Sequence, residues 1–223
     1  MRKAIAACAL LCLVSCGGGG GNSTPTTPTP TTPTQANRAP VINSISITPA
    51  FGIAQVTVFA FSATASDPDG DATSFAWTVG GVPFSTASGS VTFSTGGSGV
   101  ANLTVTDGKG GSVSDSRSCI VGTMAGTWAG TLSGASISVT LAQPAGGLIT
   151  GTWAIPSIGI TGNLDPATVN KIDAGGNVTM RFKVQQGSFN DFIVTGTMDQ
   201  TGARFVGVAN GSGFSGTPIV WTK

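Results

Sequence analysis

The chain has 223 residues, of which 34 are glycine and only 9% are charged, a composition typical of strands and tight turns rather than of long amphipathic helices. The net charge of +1 includes Arg2 and Lys3, so a form without them is close to neutral and lacks the basic face that nucleic-acid binding requires. The sequence contains no histidine, glutamate or tyrosine, which removes the commonest general base, the Ser/His/Asp triad and glutamate-based glycosidase pairs, and we expect no enzyme activity.

Residues 1–16 have the pattern of a bacterial export leader. Two basic residues follow Met1, and the apolar run from Ala4 to Ser15 is too short to cross a bilayer but suits the hydrophobic region of a signal peptide. The run ends in LVSC, which resembles the lipobox of bacterial lipoproteins. The resemblance implies a signal peptide at 1–15 and acylation of Cys16, with palmitate-type chains as a membrane anchor. An ordinary secretory leader with an incidental cysteine is the alternative.

Residues 16–38 form the predicted tether. A glycine run at 17–21 is flexible, and residues 23–34 alternate threonine with proline, which favours an extended polyproline II conformation of about 3.1 Å per residue. Glycine rather than aspartate follows Cys16, and by resemblance to enterobacterial lipoproteins this favours the outer membrane, facing either the periplasm or the cell surface. The tether either extends the folded part toward a partner or only prevents steric clash with the membrane.

Residues 39–121 are predicted to form a first all-β domain. Short apolar-alternating segments recur between turn residues, and Phe59, Phe61 and Trp77 fall on inward faces, with Trp77 as the core anchor. This spacing predicts a β-sandwich. The predicted strands are Val41–Thr48, Gln55–Thr64, Ala72–Val79, Val91–Ser94, Val100–Asp107 and Ser112–Ile120.

Three motifs in this segment resemble the PKD and cadherin-like group of immunoglobulin-type domains. They are ASDPDGD at 65–71, FAW at 75–77 and LTVTDGKGGS at 103–112. The resemblance implies an immunoglobulin-like sandwich. The sequence departs from the PKD pattern after Trp77, where TVGG follows instead of an acidic, glycine-rich stretch, and it lacks the interdomain calcium motifs of cadherins.

The aspartates of the first motif are candidate metal ligands. Asp67, Asp69 and Asp71 place three carboxylates in five residues, which suits Ca²⁺, with Asp107 or Asp115 as further oxygen donors. The spacing is not that of an EF-hand, because Gly and Glu are missing from the required positions. The alternative is that the Asp-Pro-Asp-Gly sequence only forms a turn, with aspartate side chains capping free amides.

Residues 122–223 are predicted to form a second all-β domain of eight sequential strands. An open sheet of eight strands leaves two exposed edges, so we predict closure into a small antiparallel meander barrel. The predicted strands are Gly126–Leu132, Ser136–Ala142, Leu148–Ala154, Ile158–Leu164, Asn177–Gln185, Asp191–Met198, Ala203–Ala209 and Phe214–Thr222.

A Gly-Thr repeat accompanies these strands, with Gly-Thr-Trp at 126–128 and 151–153. Together with the final VWTK, it resembles the calycin barrels of lipocalins and avidins. An eight-stranded interior is either filled by side chains or holds one small ligand. Trp128, Trp153 and Trp221 are the candidate ligand-binding residues, and the alternative is that these tryptophans close an end of the barrel.

The sequence thus predicts a membrane-anchored envelope or cell-surface module that binds or adheres to a small ligand, a glycan or a protein. A purely structural scaffold with filled cores and a calcium-dependent adhesion domain are the alternatives. Cys119 is left without a partner or a role. The remaining aspartates are interpreted as solvated loop residues: Asp165, Asp173, Asp191 and Asp199.

Overall fold

Residues 35–185 and 190–223 are described by the computed structural model of the protein. They contain seventeen β-strands and two short 3-10 turns, which confirms the predicted all-β class. The chain divides at residue 37, and every described strand lies within residues 37–223. The signal peptide, Cys16 and the tether up to residue 34 lie outside the described residues.

The first eight strands form two sheets that pack face to face, called the sandwich here. A three-stranded sheet has the order β1-β3-β6, and a five-stranded sheet has the order β2-β8-β7-β4-β5. All neighbours are antiparallel except β2 and β8. The strands are β1 (Val41–Thr48), β2 (Phe51–Ile53), β3 (Phe59–Ser66), β4 (Ser74–Val79), β5 (Val82–Phe84), β6 (Ser88–Val91), β7 (Gly97–Thr106) and β8 (Ser112–Gly122).

The alternating apolar residues of the sandwich face its core, as the sequence predicts. Phe59, Phe61 and Trp77 are at most 2% exposed, and the rings of Phe61 and Trp77 lie 4.9 Å apart. Trp77 is the predicted anchor, and its indole N–H donates to the carbonyl of Thr86 at 3.0 Å. The apolar pattern therefore identifies the inward face of each long strand.

The remaining strands form an eight-stranded barrel, which confirms the predicted meander. Consecutive strands pair antiparallel, β9 pairs with β17, and pairing of β12 with β14 completes the closure. A two-residue strand, β13, adds to the edge of β14. The strands are β9 (Gly126–Leu132), β10 (Ala135–Ala142), β11 (Thr150–Ile155), β12 (Ile160–Leu164), β13 (Lys171–Ile172), β14 (Asn177–Val184), β15 (Phe192–Met198), β16 (Arg204–Gly211) and β17 (Phe214–Thr222).

Four predicted strands begin two or more residues too early: those from Ala72, Leu148 and Ile158 by two residues, and the one from Gln55 by four. Ile158 belongs to a 3-10 turn, Pro156–Ile158, and its side chain is 59% exposed. The turn ends at Gly159, whose φ of 67° lies in the left-handed region that glycine adopts without strain. Pro156 and Gly159 therefore separate Ile158 from the β12 strand that starts at Ile160.

Glycines let the barrel strands approach one another closely. Gly196 of β15 lies opposite Gly207 of β16, and a Cβ on Gly196 would stand 2.5 Å from the Cα of Gly207. A side chain at either position would force these strands apart. The Gly-Thr sequence at 196–197 therefore reflects the geometry of these strands.

The barrel has two distinct ends. The base is the end at which β9 begins and β10 finishes, and the mouth is the opposite end. Ile53 of strand β2 in the sandwich is fully buried in the core of the barrel, together with Met124 and Ile149 at the base. Residues 37–223 thus contain two hydrophobic cores within one unit, and the predicted domain boundary between residues 121 and 122 stays a prediction.

Candidate functional site

A cavity of about 230 Å³ opens at the mouth of the barrel. Its walls come from the ends of β9, β11 and β14 and the beginnings of β12, β15 and β17, which all meet at this end. The aliphatic part of the lining is Leu132, Ile155, Ile158, Ile160 and Val184. The up-and-down topology therefore gathers residues that are far apart in the sequence around one opening.

Aromatic rings form the other wall of this cavity. Trp153 and Phe192 meet edge to face with their ring centroids 5.4 Å apart, and Phe192 meets Phe214 at the same distance. Among the described residues, Ser212 is the one polar residue of the lining, and none of the lining side chains is ionisable. Such walls favour an apolar ligand, because nothing in them compensates a buried charge.

Trp153 owes its position to the glycine that it faces. Trp153 and Gly162 are register partners on β11 and β12, and a Cβ on Gly162 would lie 2.5 Å from the indole Nε1. The indole can lie over Gly162 only because that residue has no side chain. Its buried Nε1 has no hydrogen-bond partner among the described residues.

The other two candidate tryptophans fill the barrel. Trp128 is fully buried, and its Nε1 donates to the carbonyl of Met124 at 2.8 Å. Trp221 is 1% exposed and packs against Phe205 with ring centroids 5.3 Å apart. Among the three predicted candidates, Trp153 is therefore the one that lines the mouth cavity, and sequence alone does not separate it from Trp128 and Trp221.

A buried glutamine closes the base. Gln143 is 7% exposed, and its Oε1 accepts hydrogen bonds from Met124 N at 2.7 Å and from the Thr123 hydroxyl at 3.0 Å. Its Nε2 donates to the carbonyl of Ala54 in the sandwich at 2.8 Å. Buried polar atoms are costly unless they are paired, and here the amide group ties the sandwich to the barrel.

The aspartates at 67–71 in the sandwich accept hydrogen bonds from backbone amides of the same loop and from Arg38. Oδ1 of Asp67 accepts from the amides of Asp69 at 2.8 Å and Asp71 at 3.3 Å. Asp69 accepts from the backbone amide of Arg38 at 2.7 Å and from its Nε at 2.8 Å, while Arg38 Nη2 donates to the Pro68 carbonyl. The hydrogen bonds from Arg38 hold the pKa of Asp69 below its usual 3.8.

Asp107 and Asp115, the further aspartates proposed for calcium, each contact other residues of the sandwich. Asp107, 4% exposed, accepts from the Asn37 side chain and from the amides of Lys109 and Gly111, and these bonds lower its pKa. Asp115 pairs with Arg117 at 3.5 Å. Calcium takes about six to eight oxygen ligands. No group of three or more acidic, histidine or cysteine side chains in residues 35–185 and 190–223 is placed to hold a metal ion, while the buried Oδ2 of Asp67 has no hydrogen-bond partner among those residues. The calcium site at Asp67, Asp69 and Asp71 stays a prediction.

The interpretation of Asp165 as a solvated loop residue is wrong. Asp165 is 7% exposed. Its backbone amide donates a hydrogen bond to the carbonyl of Arg181 on β14, and its carboxylate lies 3.8 Å from the Arg181 guanidinium. Asp191 approaches the same guanidinium at 3.6 Å. Asp173 and Asp199 cap turns, Asp173 at an exposed position and Asp199 at a half-buried one.

Cys119 is a buried free thiol in the core of the sandwich. It is 4% exposed, and burial raises the pKa of its thiol. Its thiol is therefore protonated at neutral pH and packs as a small apolar side chain.

Comparison with known proteins gives little further information. No family model matches the chain, and no curated protein matches it. One solved structure, from a study of the promiscuous specificity of carbohydrate-binding modules of the β-sandwich superfamily, is similar over 84% of this chain and 86% of its own. The identity is 15% and the TM-score is 0.36, which is too low to carry an argument about function. None of the helices in the described part of the chain is long and apolar enough to cross a membrane.

Proposed function

We propose that the protein is a non-catalytic binding module whose barrel mouth takes a small apolar molecule or the apolar end of a longer one. The observation that carries this proposal is the mouth cavity itself, whose described walls consist of eight apolar side chains and one serine. Ligand sites in proteins are concave, mostly apolar and supplied with few polar groups, and this cavity has that composition.

The chemistry of the walls favours an apolar ligand over a glycan. Sugar hydroxyls need several polar partners, whereas the mouth cavity offers the hydroxyl of Ser212. The four tryptophans are at most 3% exposed, so none of them presents an open ring face to a sugar. A glycan is therefore disfavoured as the ligand of the mouth cavity.

The size of the cavity limits what enters it. Its volume of about 230 Å³ lies below the roughly 300–1,000 Å³ that is usual for drug-sized ligands. Beneath it the interior is closed by Phe182 and Trp221, whose rings meet at 5.8 Å. The cavity thus suits a compact group and does not continue as a deep channel.

The location is part of the same proposal. The lipobox-like LVSC and the threonine–proline tether support a bacterial lipoprotein anchored through Cys16. The glycine that follows this cysteine favours the outer membrane as its location. Such an anchor would hold the module at the lipid surface, where apolar molecules concentrate. Radiolabelled palmitate should enter the wild-type protein in cells and should not enter Cys16→Ser.

The binding proposal is tested with neutral apolar probes. The soluble form, residues 16–223 with Cys16→Ser, is titrated with toluene and with 1-hexanol while its thermal unfolding midpoint is followed. A ligand that binds the native state raises the midpoint. Ile158→Trp should abolish the rise, because Ile158 stands 59% exposed at the rim and a larger ring there fills the opening.

The matched control is Ile193→Trp. Ile193 is 40% exposed on the outer face of β15 and does not line the cavity, so this variant should respond to toluene as the parent does. A midpoint that toluene and 1-hexanol leave unchanged in the parent would contradict the proposal. The filled interior around Trp128 and Trp221 would then favour the scaffold alternative.

A further inference from the structure

A second cleft lies where the sandwich meets the base of the barrel, at the opposite end from the mouth. It has a volume of about 470 Å³. The start of β7, the end of β8, the turn between β15 and β16, and the residue that follows β17 form its walls. Unlike the mouth, this cleft contains a charged side chain, that of Lys223.

The ammonium group of Lys223 is held in a defined position. Its Nζ donates a hydrogen bond to the carbonyl of Thr123 at 2.6 Å and lies 4.7 Å from the ring centroid of Trp128. The hydroxyl of Thr123 donates in turn to Gln143, which fixes the segment that carries the carbonyl. An ammonium group has three donors, so donors remain after the bond to Thr123.

No ion pair to this cation is formed by the described residues. The ion pairs among the described residues belong to Arg38, Arg117 and Arg181, and none of them involves Lys223 Nζ. Burial lowers the pKa of Lys223, because part of its hydration is lost. A partly desolvated cation without a counter-ion gains more from a bound anion than a fully hydrated one does.

The rest of the lining indicates what kind of anion fits. The hydroxyls of Thr123 and Thr201 already donate to Gln143 and Asp199, at 3.0 and 2.7 Å, so they are not free to donate to a ligand. Ile120 projects into the cleft with 43% of its surface exposed. The cleft thus offers the Lys223 cation, the aliphatic side chain of Ile120 and, as a further donor, the hydroxyl of Ser98.

We propose that this cleft binds a small carboxylate with a short aliphatic body. The carboxylate accepts a hydrogen bond from Lys223 Nζ, and the aliphatic body lies on Ile120. This site is separate from the mouth in position and in chemistry, so either proposal can fail without the other.

The test is calorimetric titration of the soluble form carrying Ile158→Trp, so that binding at the mouth is not counted. The probes are hexanoate, acetate, the neutral analogue 1-hexanol, and glucuronate, which pairs the same charge with a polar body. We expect hexanoate to bind more tightly than acetate, and 1-hexanol and glucuronate to bind more weakly than hexanoate.

Lys223→Met should weaken hexanoate binding by about ten- to a hundredfold, as expected for loss of a charged hydrogen bond. The matched control is Lys183→Met, because Lys183 is exposed on the barrel and does not line the cleft. Lys223→Arg, which keeps the charge, should retain binding. Ile120→Asn should weaken hexanoate and leave acetate unchanged.

A second measurement does not depend on variants. The ¹³Cε resonance of Lys223 should titrate at higher pH when hexanoate is present, because the bound anion favours the charged ammonium. The proposal is overturned if no carboxylate binds, if 1-hexanol binds as tightly as hexanoate, if glucuronate binds and hexanoate does not, or if Lys223→Met binds like the parent.

Discussion

The base and the mouth of the barrel are formed by the same eight strands, yet they are completed in different ways. At the base, Ile53 from the sandwich fills the core, and Gln143 pairs the polar groups that this contact buries. At the mouth, the strands end in apolar side chains around an open cavity, and Ile158 stands exposed at the rim. The difference indicates that the base serves stability and the mouth is available for a ligand.

The largest difference between the two ends should appear in matched isoleucine truncations. Ile53→Ala removes a fully buried side chain and should lower the free energy of unfolding by about 2–5 kcal/mol. Ile158→Ala removes a side chain that is 59% exposed and should change it by less than about 1 kcal/mol. Urea unfolding of both variants measures the difference. Equal losses would show that the two ends do not differ in packing.

Two glutamine substitutions sharpen the same comparison with polar groups. Gln143→Leu at the base leaves the Met124 amide and the Ala54 carbonyl unpaired and should cost about 1–3 kcal/mol in unfolding free energy. Gln185→Leu, at an exposed position just after β14 near the mouth, should cost much less. Urea midpoints with unchanged slopes are the readout. A Gln143→Leu variant as stable as the parent would contradict the role given to this side chain.

Acid should lower the stability contributed by the sandwich and leave ligand binding at the mouth unchanged. Asp69 and Asp107 have folded-state pKa values below 3.8, so their contribution to stability is complete above the unfolded-state pKa and is lost as pH falls through the lowered values. Arg38→Gln should therefore flatten the loss of stability below about pH 4. Toluene binding should not vary over the pH range in which the protein stays folded, since none of the described side chains that line the mouth cavity is ionisable.

Urea unfolding of the parent and of Arg38→Gln at a series of pH values tests this expectation. Lys183→Gln is the control, because Lys183 is an exposed cation of the barrel, away from Asp69. Identical acid profiles for the parent and Arg38→Gln would refute the assignment to Asp69. A toluene affinity that follows the same profile would show that the mouth is coupled to the sandwich loops.

Calcium should have the smallest effect of all. The Arg38 guanidinium lies 2.6 Å from Asp69, and Asp67 binds backbone amides, so we expect Ca²⁺ to leave the thermal midpoint of the soluble form unchanged. The comparison is with the triple variant Asp67→Asn, Asp69→Asn, Asp71→Asn, which should be equally insensitive. A midpoint that Ca²⁺ raises in the parent and not in the triple variant would support the calcium hypothesis.

The long strands could be predicted because their burial alternates along the sequence. All eight barrel strands were placed within about two residues at each end, since residues such as Val139 and Met180 face inward at every second position. The short strands β2, β5 and β13 could not be predicted, because two or three residues carry no periodic signal.

The candidate site was predicted less well, because it depends on contacts between distant segments. Ile53 lies on a strand of the sandwich but packs in the barrel, and no pattern near residue 53 indicates this. Trp128, Trp153 and Trp221 share the same kind of sequence context, and only their place along the barrel axis distinguishes the mouth from the interior. Arg38 was missed for the same reason, since it contacts Asp69 across 31 residues of sequence.

The most direct test of the mouth as a binding site is methyl NMR of the isoleucine-labelled soluble form during titration with toluene. We expect the δ1 methyl resonances of the three mouth isoleucines to shift in proportion to occupancy, while those of three isoleucines remote from the mouth stay in place. The mouth set is Ile155, Ile158 and Ile160, and the remote set is Ile53, Ile149 and Ile172. Shifts confined to the remote set, or no shift in the mouth set at saturating toluene, would contradict binding at the mouth.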